Sequence, residues 1–116
     1  MMDRRRKKPL LGEAERLAAD LGRFRTPRTG EAVDPSRVAE LIRYLSMVQD
    51  VQQLATYLEL MPTSYLAKMS QSALPQLKEI ARLVRPMIGR IRNVDELLFV
   101  LGWAHRLMLT TERIGR

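Results

Sequence analysis

The residues best suited to chemistry in this chain are cations, not nucleophiles. Lys78, Arg82, Arg85 and Arg92 are spaced four, three and seven apart, with Gly89 in the missing turn. On an unbroken helix they fall within a sector of about 80°, offset from the apolar one. Arg offers phosphate oxygens a planar fork and Lys a point charge, while Gly89 would let a polyanion backbone come close. Only Glu79 lies nearby in the sequence to neutralise them. A second basic group, Arg4, Arg5, Arg6, Lys7 and Lys8, has the composition of a phosphate-contacting tail, and equally of a solubilising terminus. A third set is Phe99, Trp103 and Arg106, spaced four and three. Aromatic rings beside Arg can stack on unpaired bases or anchor a protein interface; the plain alternative is that both rings fill the core.

Catalytic chemistry finds little support. There is no Cys and a single His, His105, which leaves no Cys–His pair and no His-rich metal cluster within one chain. Asp95 and Glu96 are adjacent, so a helix turns them about 100° apart; they are better explained as first-turn charges than as paired carboxylates. Neither a P-loop nor a dinucleotide fingerprint is present. The expectation is a protein that is not an enzyme and takes no cofactor, metal or small-molecule substrate. His105, one turn after Leu101, reads as a partly buried structural histidine.

The net charge of +7 is unevenly placed. Residues 1–8 carry +4, residues 9–67 carry −2 and residues 68–116 carry +5, a field that attracts polyanions over a Debye length of roughly 8 Å in physiological salt. The absence of Cys fits a cytoplasmic protein, and the basic run is followed by Pro9 and Gly12 rather than an apolar signal segment. No membrane role is expected, because no stretch approaches the roughly 18 apolar residues of a span.

The elements that must position these groups are helices. Leu10, Ala14, Leu17, Leu21 and Phe24 share one helical face, which predicts a helix from about Leu10 to Phe24 behind a flexible basic arm over residues 1–9. A loop over residues 26–33 follows, with Asp34 and Pro35 as N-cap and first-turn proline of a long helix reaching Met61 before Pro62. Thr63 and Ser64 can cap a short helix over Tyr65 to Met69. Leu77, Ile80, Ala81, Val84, Ile88 and Ile91 mark the next helix, interrupted or kinked at Pro86. Asn93 with Glu96 makes a capping-box-like start to a last helix running to about Thr111. It is apolar on most sides, which predicts either the central member of the bundle or an interface.

The fold class predicted is all-α, a single-domain bundle of four to five helices over residues 10–116. The function expected is a non-catalytic, sequence-tolerant nucleic-acid-binding subunit of a larger assembly, taking RNA or single-stranded DNA. Its architecture, though no motif, resembles the small helical subunits that line the nucleic-acid groove of CRISPR effector complexes, a likeness at the level of fold alone. The main alternative is an interaction module that docks on other protein subunits, or on its own copies, through the apolar last helix. A second is a helix-turn-helix DNA-binding regulator, from the stretch Leu54 to Leu66; a long first helix, a turn without Gly and only Lys68 as a cation in the second helix weigh against it.

Overall fold

The computed structural model describes residues 4–63 and 73–114, the side chains of Arg4, Arg6 and residues 111–114 excepted. Among these residues are five α-helices and no strand: α1 (Arg4–Arg23), α2 (Pro35–Val48), α3 (Val51–Leu60), α4 (Ala73–Arg90) and α5 (Val94–Ile114), with one 3-10 turn, Met61–Thr63, after α3. The predicted all-α bundle is therefore what forms. The expected short helix from Tyr65 to Met69 lies outside the described residues.

The helices close a ring around one core: α5 packs on α1 and α2, α2 on α3, α3 on α4, and α4 on α1. Leu10, Leu17, Leu21, Leu41, Leu45, Leu54, Leu58, Ile80, Val84, Leu97 and Leu101 are buried together inside it. Each such side chain removed from water contributes on the order of 2 kcal/mol, which offsets the entropy of ordering the chain.

Three boundaries differ from those the sequence predicts. α1 starts at Arg4, not Leu10, and runs through Pro9. Arg5, Lys7, Lys8 and Pro9 point to all sides of the helix and are all exposed, whereas burial begins at Leu10. The basic turns thus extend beyond the packed body, and a proline is tolerated among them. The predicted long second helix is two helices. Gln49 adopts a left-handed conformation (φ 54°) and its N–H bonds back to the Leu45 carbonyl. Asp50 then caps α3, its Oδ1 accepting from the N–H groups of Gln52 and Gln53 at 2.8 and 3.3 Å. The two helices fold against each other, and the rings of Tyr44 and Tyr57 stack with centroids 4.2 Å apart. Finally, α4 is continuous through Pro86. The proline ring is exposed, so the lost backbone bond lies on the solvent side, where it is least costly.

The last helix is not central. Leu97, Val100, Leu101, Ala104 and Met108 are buried, but Leu98, Phe99, Leu107 and Leu109 are only half-buried and Trp103 is exposed. Asn93 caps α5 as expected, accepting from the Glu96 N–H at 3.1 Å.

One buried polar side chain ties distant segments together. Gln76 on α4, 1% exposed, accepts at Oε1 from the Asp34 N–H (2.9 Å) and from Arg37 Nε (2.8 Å), and donates from Nε2 to Thr26 Oγ1 (3.1 Å). Thr26 in turn donates its hydroxyl to the Glu31 carbonyl at 2.8 Å, within a tight turn that places Arg28 and Gly30 at positive φ. Gln76 therefore holds the α1–α2 loop and the start of α2 against α4. Gln76→Ala strands three partners, and we predict a loss of about 3 kcal/mol in urea unfolding. Asp50→Ala, which removes one exposed cap, should cost about 1 kcal/mol in the same measurement.

Candidate functional site

α4 fixes the position of the principal cations. Its inner face buries Leu77, Ile80, Ala81, Val84, Met87 and Ile88, and the positions between, Lys78, Arg82 and Arg85, are left exposed on the outer side. At a rise of 1.5 Å per residue these three span about 10 Å along the axis. They line a shallow open groove of about 670 Å³ between α4 and the end of α3. Leu58 and Ala81 floor it, Glu59 and Pro62 form the opposite wall, and Pro86 closes the line of cations. Gly89 is exposed, and a Cβ added there would meet nothing within 4 Å.

The cations are not equivalent. Arg82 is held in a two-pronged pair with Glu79, Nε to Oε1 at 2.8 Å and Nη2 to Oε2 at 2.7 Å. The Arg82 guanidinium lowers the Glu79 carboxyl below its usual range, against the opposing effect of burial; Glu79 in turn raises Arg82, with a smaller contribution from Asp20 on α1. Arg82 keeps Nη1 for a further acceptor, but its charge is largely balanced. Lys78 and Arg85 form no ion pair among the described residues. The groove is therefore modestly positive, its two uncompensated cations facing the single carboxylate of Glu59.

Arg92 does not join this face. α4 ends at Arg90, closed by the Ile91 N–H on the Met87 carbonyl at 2.7 Å, and Arg92 lies exposed in the turn before α5. Arg90 reaches across to Glu13 on α1 at 3.0 Å. With Asp20 near Arg82, this contact sets α1 antiparallel to α4. The basic turns of α1 at Arg4, Arg5, Arg6, Lys7 and Lys8 consequently lie at the same end of the bundle as Arg92, away from Lys78.

On α5, Phe99 packs partly on the core and its ring centroid is 6.4 Å from that of Trp103. Trp103 is 36% exposed, with the Arg106 guanidinium 5.1 Å over its ring. The structure thus divides the two rings: Phe99 belongs partly to the core and Trp103 to the surface. His105 is half-buried. No group of three or more His, Asp or Glu side chains among the described residues is placed to hold a metal ion, and no described helix is long and apolar enough to cross a membrane. In the helix-turn-helix likeness the first helix is α3, ten residues long rather than part of a long one; the second falls outside the described residues.

The pairing of Glu79 is legible from its spacing of three to Arg82. The groove's far wall, Glu59 and Pro62, is not, because it depends on how α3 folds back on α4. Comparison with protein-family models, curated proteins and solved structures finds no match to this chain.

The Glu79 carboxyl titrates below the ordinary range, so its pairing stabilises the fold above the carboxyl's unfolded pKa and is lost as pH falls through the lowered one. Side-chain NMR titration should show Glu79 returning toward the usual carboxylate value in Arg82→Gln. An unchanged midpoint would place the cause elsewhere.

Proposed function

We propose that this chain is a non-catalytic helical subunit that binds single-stranded nucleic acid, RNA or DNA, through its phosphate backbone and without reading sequence. The observation that carries the proposal is the pair Lys78 and Arg85, in no ion pair among the described residues and held on one helical face beside Arg82 along an open groove. A groove without deep pockets or convergent polar groups suits a backbone polyanion better than a small molecule. Arg5, Lys7 and Lys8, extending beyond the body on exposed helical turns, supply a second set of phosphate contacts, with Arg92 at the same end. Net charge of +7 supports the same partner by long-range attraction. Membership of a larger assembly is part of the proposal, since neither set of cations spans more than a few phosphates.

A second reading, docking on another protein through α5, is favoured by a different observation, the exposure of Trp103 under Arg106. The two differ in salt response. Binding of a mixed-sequence oligonucleotide, RNA or single-stranded DNA, should weaken steeply with salt. The double variant Lys78→Gln, Arg85→Gln should bind more weakly at every sequence and flatten the log–log salt slope by about 1.4, at about 0.7 for each phosphate no longer neutralised. Circular dichroism should be unchanged, because both side chains are exposed. Equal affinity and slope in the double variant would refute the groove as the binding surface.

A further inference from the structure

The outward face of α5 has a pattern independent of the nucleic-acid reading. Asp95, Phe99, Gly102, Arg106 and Leu109 recur at spacings of four, three, four and three, the seam spacing of two helices packed along their length. The opposite side of α5 is taken by the core, and among the described residues this one is only partly covered: Asp95 and Arg106 are exposed, and Phe99, Gly102 and Leu109 are half-buried. The face is acidic at its start, basic near its end, and hollow between, since a Cβ added to Gly102 would meet nothing within 4 Å.

We propose that this face pairs with the same face of a second copy of the chain, with the two α5 helices antiparallel. In a twofold contact each residue i meeting j implies j meeting i. With the twofold axis level with the peptide between Val100 and Leu101, Asp95 of each copy meets Arg106 of the other, and Phe99 of each meets Gly102 of the other. These are the alternating layers of an antiparallel helix pair. Two charge pairs flank two rings, and each ring sits where the opposing helix has no side chain. Trp103 borders the seam beside the Phe99 of the opposite copy. The Arg106 guanidinium lies over the face of its own Trp103 at 5.1 Å, which leaves its N–H edges to donate to a carboxylate. Charge complementarity selects a second copy over an unrelated partner, because one register sets the acidic end against the basic end and each ring against a glycine.

Sedimentation of the full chain without nucleic acid tests the pairing. The parent should dimerise in a concentration-dependent way, and Asp95→Arg or Arg106→Asp alone should weaken self-association at least about tenfold. An equimolar mixture of these two variants should recover the dimer, since each variant alone sets like charges at both pairs of its homodimer, whereas the mixed dimer sets opposite charges at both. Gly102→Leu has room in the single chain and should keep its helicity, yet fill the hollow and abolish the dimer. A parent that stays monomeric at millimolar concentration, single charge variants that dimerise like the parent, or a Gly102→Leu variant that does so would overturn the proposal. The double variant of Lys78 and Arg85 should dimerise normally, so loss of oligonucleotide binding and loss of pairing are separable.

Discussion

α4 must turn Leu77, Ile80, Ala81, Val84, Met87 and Ile88 into the core, and the helical period then leaves Lys78, Arg82 and Arg85 no position but the outside. This division of one helix into an oily and a cationic side constrains the rest. It places the charges on a rigid element, where their separation is set by helical rise. It also makes them hold only while α4 is unbroken, which gives Pro86 its importance: the ring faces solvent, so the helix survives the missing N–H and the row of cations stays aligned up to Arg85. The helix ends five residues later at Arg90, and Arg92 is lost to the row for that reason.

The charge balance of this face is set by partners on α4 itself and on α1. Glu79, one turn from Arg82, holds that guanidinium by two hydrogen bonds, and Asp20 on α1 adds to the same field. Glu13 takes up Arg90. The α1 side of α4 is therefore an ion-paired seam that helps to dock α1, with modest energetic weight because its guanidinium groups are exposed although their carboxylate partners are half-buried. The side toward α3 carries the uncompensated cations. Structure and surface chemistry thus divide along a single helix, one edge used for packing and the other left for a ligand.

Much of the fold is legible in the sequence because helix caps and apolar period agree locally. Asp34 with Pro35, and Asn93 with Glu96, mark the starts of α2 and α5 where the structure has them. The break between α2 and α3 is harder to read. Asp50 is its cap, but apolar residues continue on both sides and only their phase shifts. α1 begins earlier than its apolar stripe because Pro9 is a barrier inside a packed helix and not on exposed turns beyond the core. Gln76, the groove wall of Glu59 and Pro62, and the approach of Asp20 to Arg82 have no local signal. Each is created by tertiary packing between segments far apart in the chain. The cation row on α4 is visible in the spacing as far as Arg85. The hollow at Gly102 on α5 is not, since it depends on what surrounds that residue.

The two outward faces, the cationic side of α4 and the seam of α5, belong to helices that are not principal neighbours in the ring. A pair of chains joined through α5 would therefore keep both grooves open and present two sets of cations to one polyanion. The groove between α3 and α4 is the surface that must meet the phosphates. Backbone amide chemical-shift mapping with a mixed-sequence single strand tests it most directly. Perturbations concentrated between Lys78 and Arg90 and at Leu58 to Met61 are predicted. Shifts confined to α5, or none at saturating oligonucleotide, would contradict it.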